Sequence, residues 1–168
     1  EIDGMVFLAG VYWPKPAQNL DPNKAEAMED VKFKGAMRVV SAVLPEFVAR
    51  DAGHILITGS LSAFRGLPGA VGYAASKAGT MVLAESLYCD LRKSGVQVQT
   101  VNPGFIKTRL TDKNDFSLPQ LMEPDHAARE IWEHMQTDRF MKSYPSPFAW
   151  LFRLGALMPG WLYYRIFS

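Results

Sequence analysis

The chain has 168 residues, of which 48% are apolar and 21% are charged, and its formal net charge is +1. This composition is typical of one globular domain with enough apolar side chains for a core. Because Lys and Arg are spread along the chain, the charge pattern argues against a nucleic-acid-binding protein.

The single cysteine, Cys89, excludes an internal disulfide and favours a reducing compartment, so we expect a cytoplasmic protein. We expect Cys89 to be a buried structural thiol rather than a nucleophile, because no His lies near it in sequence. The first residues carry neither the basic segment nor the apolar run of a targeting peptide.

The first predicted elements are a strand and a long helix. The apolar run 5–9 predicts a buried strand that ends at Gly10. Asp21 followed by Pro22 predicts the N-cap and first residue of a helix that runs to about residue 50. The apolar positions of this helix are Val31, Met37, Val40, Val43, Leu44 and Phe47.

Two more strands follow, with a second helix between them. Residues 54–58 predict the second strand, residues 73–93 the helix and residues 96–101 the third strand, which Asn102-Pro103-Gly104 ends. This alternation predicts an α/β fold with a partial doubly wound, Rossmann-like parallel sheet. We expect the edge beside the first strand to be unpaired.

The remaining predicted elements are a polar loop at 107–122, a helix capped by Asp125, a short strand near Phe140 and an apolar, aromatic segment at 148–168. We therefore predict a partial domain over 1–145, the second half of a Rossmann-like domain, and a C-terminal tail over 146–168.

The predicted fourth helix carries His126, Glu130 and His134 at a spacing that also suits metal ligands. Its predicted apolar stripe is formed by Ala127, Ile131, Trp132 and Met135. We interpret the three polar residues as a solvated face and predict no metal site.

Ligands bind at the carboxyl ends of parallel strands, and the second strand ends at Ser60. Tyr73 and Lys77 begin the following helix at positions i and i+4, so they share one helix face. A tyrosine with a pKa near 10 is a poor general acid or base at neutral pH, and a neighbouring ammonium would favour its phenolate form. A hydroxyl at Ser60 would then bind the same substrate oxygen as Tyr73.

Three segments with this order and spacing resemble the short-chain dehydrogenase/reductase family. They are the segment GHILITGS at 53–60, the Tyr73-x-x-x-Lys77 pair and the segment NPGFIKT at 102–108. The resemblance covers roughly residues 1 to 130. It implies an oxidoreductase that interconverts a carbonyl and an alcohol with NAD or NADP.

The resemblance also implies roles for individual residues. Tyr73 would exchange the proton, Ser60 would orient the substrate, and Lys77 would lower the Tyr73 pKa and hold the nicotinamide ribose. The implied cofactor-binding residues are Ala9, Gly10, Tyr73, Lys77, Pro103, Gly104, Ile106 and Thr108. The polar loop after Thr108 would cover the substrate.

The sequence departs from the family pattern at two points that matter for function. It contains no G-x-G turn for the cofactor diphosphate, so that turn would lie outside these 168 residues. Lys32 stands where the family has a catalytic Asn that holds a water. We name Lys32 as a fourth catalytic candidate, and the sequence leaves open whether it joins the proton relay, repels Lys77 or points to solvent.

Further alternatives concern partners. The resemblance implies that the two long helices, at about 21–50 and 73–93, form a homodimer or tetramer. A catalytically silent oligomerisation or binding module is the alternative function. The tail at 148–168 is interrupted by Arg153, Arg165 and a Pro-Gly break, so it does not predict a membrane span. We expect two short amphipathic helices that pack within protein, with peripheral membrane contact as the alternative.

Overall fold

The computed structural model describes residues 2–114 and 118–167. It contains one sheet in which all strands are parallel and follow chain order. The strands are β1 (Gly4–Phe7), β2 (Gly53–Thr58), β3 (Val96–Pro103) and β4 (Met141–Tyr144). Within the described ranges β1 pairs only with β2.

Helices connect each strand to the next and then form the C-terminus. They are α1 (Pro22–Glu29), α2 (Gly35–Ala49), α3 (Val71–Leu91), α4 (Pro124–Met135), α5 (Ser146–Leu157) and α6 (Gly160–Phe167). The predicted α/β fold with a parallel, Rossmann-like sheet is therefore confirmed. Glu1, Ser168 and residues 115–117 of the predicted substrate-covering loop lie outside the described residues.

The first long helix contains a change of helical geometry. Asp21 caps α1, with its carboxylate accepting a hydrogen bond from the Lys24 N–H at 3.3 Å. A π-helical turn, Asp30–Lys34, then joins α1 to α2. Such a turn inserts a residue into the helical repeat and occurs frequently at functional sites. It carries Lys32, whose side chain is buried.

The core lies on both faces of the sheet because side chains alternate along each strand. Ile55 and Ile57 of β2 face one cluster, which includes Phe47 of α2. Leu56 faces a second cluster, which includes Ala127 of α4. Both faces of β2 are thus apolar and covered, as expected for a central strand of a parallel sheet.

Two sequence predictions about burial, and one about the end of a strand, were wrong. Met37 is exposed because the side of α2 that faces the sheet is formed by Val40 and Phe47. Cys89 is exposed, since it lies on the outer side of α3. The third strand extends through Asn102 and Pro103, because it continues to pair with β4.

The fourth helix is rotated relative to the prediction. It begins at Pro124 after Glu123, without a side-chain cap from Asp125. Its inward side contains Ala127 and His134, whereas Trp132 is 64% exposed. His134 is therefore part of the packed side of α4 and not of a solvated face.

Candidate active site

The predicted catalytic residues meet where β2 and β3 end. Ser60 follows β2, Tyr73 lies in the first turn of α3, and Gly104 follows β3. These residues line a cavity of about 560 Å³ together with Pro103. Parallel strands bring their carboxyl ends to the same edge of the sheet, which explains why residues so far apart in sequence share one cavity.

Ser60 is fixed by its own local turn. It is 8% exposed, and its Oγ accepts a hydrogen bond from the Ser62 N–H at 3.2 Å. The two hydroxyl oxygens of Ser60 and Ser62 are 2.9 Å apart and also hydrogen-bonded. Ser60 thus caps the short helical turn Leu61–Ala63 and faces Tyr73 as well.

Tyr73 is held between other side chains. Burial raises the pKa of its phenol, and the hydrogen bond with Ser60 acts in the opposite direction. The ring of Tyr12 packs against that of Tyr73 edge-on, with 4.8 Å between centroids. Removal of the phenol from water is the largest influence on the Tyr73 pKa, and that Lys77 lowers this pKa stays a prediction.

Lys77 connects α3 to the end of β2. Its Nζ donates a hydrogen bond to the Thr58 carbonyl oxygen at 2.7 Å. Its side chain is 7% exposed, and burial lowers the pKa of its ammonium to about 8. The side chain is thus anchored one turn after Tyr73 at the same edge of the sheet.

Lys32 does not point to solvent. It is 1% exposed, and its Nζ lies 4.0 Å from the centroid of the Tyr73 ring. This Nζ has no hydrogen-bond partner among the described residues. Burial and, to a lesser extent, the charge of Lys77 lower the pKa of Lys32 to about 7. The structure therefore contains a second buried lysine next to the phenol.

At the same edge of the sheet, several buried polar atoms have no hydrogen-bond partner among the described residues, which suits the binding of a dinucleotide. Asn102 is fully buried, and neither its Oδ1 nor its Nδ2 has a partner among the described residues. The Thr58 hydroxyl is also without one. A side chain at Gly59 would collide with Asn102 Oδ1, so the backbone lies close to this amide. Buried polar atoms without partners are costly, which is consistent with a polar ligand at this edge.

The other predicted cofactor residues lie at different distances from the cavity. A Cβ at Gly10 would lie 3.7 Å from Lys32 Cε, so Gly10 is next to the catalytic candidates, and Ala9 precedes it as an exposed residue. Ile106 packs against the second core cluster. The Thr108 hydroxyl accepts a hydrogen bond from the Leu110 N–H at 3.3 Å. The side chains of Ile106 and Thr108 thus make their contacts outside the cavity.

Sequence reasoning missed several residues that line the cavity. Tyr12 was not singled out, and no periodic pattern surrounds it. Phe148 and Phe152 of α5 also line the cavity and lie at i and i+4, a spacing that places them on one helix face. Ser62, two residues after Ser60, is another lining residue.

In residues 2–114 and 118–167 no group of His, Cys, Asp and Glu side chains is arranged to hold a metal ion. His126 Nε2 lies 3.5 Å from Glu130 Oε1, whereas His134 lies inside the core. Burial lowers the pKa of His134.

Comparison with known proteins identifies the family. The profile of the short chain dehydrogenase family matches residues 1–117. The chain belongs to this family. It is 36% identical over 162 residues to an uncharacterized oxidoreductase of Myxococcus xanthus, a match that covers 96% of this chain and 64% of that protein. It is also 32% identical over 128 residues to an uncharacterized oxidoreductase of Staphylococcus saprophyticus, which covers 76% of this chain and 55% of that protein.

Solved dehydrogenase structures have the same fold. Serine dehydrogenase from Escherichia coli superposes with a TM-score of 0.72 at 26% identity, covering 84% of this chain and 62% of that chain. A short-chain dehydrogenase from Streptomyces avermitilis superposes with a TM-score of 0.81 at 20% identity, covering 92% and 65%. The present chain thus spans less than two thirds of the length of each of these relatives.

Proposed function

We propose that this chain is the catalytic part of an NAD- or NADP-dependent oxidoreductase that interconverts a carbonyl and an alcohol. The observation that carries the proposal is that Ser60 and Tyr73 line one cavity while two buried lysines lie behind them, Lys32 over the Tyr73 ring and Lys77 on the Thr58 carbonyl oxygen. Neither a structural cap at Ser60 nor a surface tyrosine at position 73 would require two buried lysines beside it.

In the proposed mechanism Tyr73 gives its phenolic proton to the substrate oxygen during reduction and takes it back during oxidation. Ser60 donates a hydrogen bond to the same oxygen and so orients the carbonyl carbon. The raised pKa of Tyr73 favours the proton donor form. We propose that Lys77 and Lys32 stabilise the phenolate when the proton has been given away.

The nicotinamide dinucleotide supplies the hydride acceptor or donor when it is bound. We propose that Lys77 and Tyr73 hold its ribose and that Ala9, Gly10, Pro103 and Gly104 form the backbone surface against which it lies. Ile106 and Thr108 are candidates for the carboxamide end. The buried amide of Asn102 supports a polar ligand there, because both of its polar atoms lack a partner among the described residues.

One part of the cavity lining is apolar and supports an apolar substituent on the substrate, and Lys15, Lys113 and Asn114 line the cavity as well. Its lining includes the aliphatic and aromatic side chains of Leu61, Leu67, Phe105, Phe148 and Phe152. Such a lining favours burial of alkyl or aryl groups, with Tyr73 and Ser60 as polar groups that fix orientation. We therefore propose a small-molecule ketone or alcohol with a bulky apolar substituent.

We also propose that the long helices form a homodimer or tetramer. Val39 and Val48 of α2 and Val71 and Val82 of α3 are each at least 40% exposed, and such apolar residues suit a subunit interface. The cytoplasm remains our proposed compartment, because the free thiol of Cys89 suits a reducing environment.

The test uses the full-length protein with NADH or NADPH and a panel of aryl and alkyl ketones. We expect consumption of the reduced cofactor with at least one ketone, and its loss in Ser60→Ala and Lys77→Ala variants. Tyr88→Phe is the matched control, because Tyr88 lies on α3 but stacks on Phe140 outside the cavity. Cofactor binding without turnover on any ketone or alcohol would favour the silent binding module instead.

A further inference from the structure

The C-terminal helices have two different sides. The inward side of α5 contains Phe148 and Phe152, which line the cavity, and Ala149, which is buried. The outward side of α5 and α6 carries large exposed apolar residues, which we call the tail face: Trp150, Leu151, Leu154, Leu157, Trp161 and Ile166. Leu157 is 81% and Trp161 is 72% exposed, so this apolar surface is not covered by the described residues.

The tail face is held in a fixed position. Arg65 donates hydrogen bonds to the carbonyl oxygens of Gly155 and Met158 at 3.0 and 2.6 Å. Its guanidinium also lies 4.1 Å from the centroid of the Tyr163 ring. The Tyr163 hydroxyl donates to the Gly66 carbonyl oxygen at 2.8 Å. The exposed side chains therefore belong to helices anchored on the catalytic part of the chain.

The charged residues within α5 and α6 are of one sign. Residues 139–168 contain Arg139, Lys142, Arg153 and Arg165 but no Asp or Glu. Lys142 is paired with Glu130 and Glu133 of α4 at 2.7 and 3.7 Å, so the cations of α5 and α6 themselves are the half-buried Arg153 and the exposed Arg165. The other 138 residues contain fourteen Lys and Arg against seventeen Asp and Glu, so the excess positive charge lies entirely in this segment. Cations beside exposed Trp and Leu are characteristic of helices that lie in the interface of an anionic membrane.

We propose that the tail face docks on the surface of an anionic phospholipid bilayer. Trp150, Leu154 and Trp161 enter the boundary between headgroups and acyl chains, and Arg153 and Arg165 remain at the level of the phosphates. Among the described residues no helix is long and apolar enough to cross a membrane, so the contact is with one leaflet. The inference concerns a surface outside the catalytic residues and goes beyond the proposed function.

Charge distinguishes the bilayer from a second copy of the chain. In a symmetric contact through the tail face, the arginines of both copies would approach each other, and like charges oppose association. An anionic surface instead attracts each arginine by roughly 1 kcal/mol near the headgroups. The same charges thus favour the membrane and disfavour the dimer.

The experiment is flotation of the full-length protein with vesicles of phosphatidylcholine containing about 30% phosphatidylserine, compared with phosphatidylcholine alone. We expect binding to the anionic vesicles, and a loss of about tenfold or more in Leu154→Asp and Trp161→Asp. Trp132→Asp is the matched control, because the 64% exposure of Trp132 on α4 lies between those of Leu154 and Trp161, and Trp132 has Glu133 beside it. Arg165→Glu should weaken binding to the anionic vesicles while preserving the fold.

Circular dichroism and turnover of each variant show that it is folded, and they separate this test from that of the proposed function. No flotation of the wild-type protein, or equal flotation of Leu154→Asp and the control, would overturn the proposal. It would also be overturned if Leu154→Asp changed the oligomeric mass on gel filtration without changing vesicle binding, since a second copy would then cover the tail face.

Discussion

The ammonium of Lys32 lies 4.0 Å from the centroid of the Tyr73 ring and has no hydrogen-bond partner among the described residues. A charged group in this position is stabilised by the negative face of the ring but has lost nearly all of its hydration. The pKa of Lys32 falls to about 7, so the charge beside Tyr73 changes within the pH range of most assays. We therefore expect the protonation of Lys32 to affect both the activity and the free energy of unfolding.

We predict that Lys32→Asn retains activity but shifts the acidic limb of the pH-rate profile for alcohol oxidation to higher pH. Oxidation requires the phenolate of Tyr73, and a protonated Lys32 favours that form. Removal of the cation therefore raises the pH at which Tyr73 becomes a base. The measurement is kcat/KM against pH for both proteins. An unchanged profile would place Lys32 outside the proton relay.

A second prediction concerns the stability of Lys32→Met. The folded pKa of Lys32 is about 7 and its ordinary value is 10.5, so the unfolded chain binds more protons between these values. Stability should rise as pH increases through this window, because folding releases the Lys32 proton and that release costs less at higher pH. We expect Lys32→Met to be more stable than the wild-type protein at pH 7 by on the order of 1–3 kcal/mol and to have a flatter pH dependence above it.

The flattening should be partial, because Lys77 has a pKa of about 8 and contributes its own dependence above that pH. Urea unfolding at several pH values measures both effects. Lys34→Met is the control, since the Lys34 side chain is 57% exposed in the same π-helical turn. If Lys32→Met and Lys34→Met had the same pH dependence as the wild-type protein, the burial of Lys32 would be contradicted.

A third prediction concerns Arg65, which fixes α5 and α6 to the segment before Tyr73. Arg65→Ala should lower the free energy of unfolding by about 1–3 kcal/mol, since two charge-assisted hydrogen bonds are lost. It should also raise KM for apolar ketones because the wall formed by α5 loosens. Arg65→Lys keeps the charge but lacks the planar fork that reaches two carbonyl oxygens. Equal stability of the alanine variant and the wild-type protein would show that Arg65 does not anchor the tail.

A fourth prediction tests the apolar wall of the cavity. Phe152→Ala should raise KM for aryl ketones by about tenfold or more, because roughly 1–3 kcal/mol of apolar burial is lost on binding. The KM for a small ketone such as acetone should change much less. Leu151→Ala is the control, as Leu151 is the neighbouring residue on the exposed side of α5. The same change in both variants would exclude Phe152 from the substrate site.

The sequence predicted those features that depend on local pattern. Strand positions followed from apolar runs, and the proximity of Tyr73 and Lys77 followed from their i and i+4 spacing. The side-chain direction of Lys32 could not be predicted, because the π-helical turn changes the phase of the helix at that residue. The contact of Phe152 with the cavity joins two segments far apart in the chain, and no local pattern specifies it.

The exposure of Cys89 and Trp132 was also predicted wrongly. Both residues lie on helices that have apolar or small side chains on more than one side, so the composition does not define which side faces the sheet. For α4, packing against β3 determines which side of the helix faces inward, and this side contains Ala127 and His134.

The most direct test of the account is the Tyr73→Phe variant of the full-length protein, measured with the ketone and cofactor that give turnover. The variant retains the ring that packs against Tyr12 and Lys32 but lacks the group that exchanges the proton. We predict that kcat falls by at least about a hundredfold while the Kd for the nicotinamide dinucleotide changes by less than about threefold. A variant with nearly normal kcat would contradict the assignment of Tyr73 as the acid and base of this site.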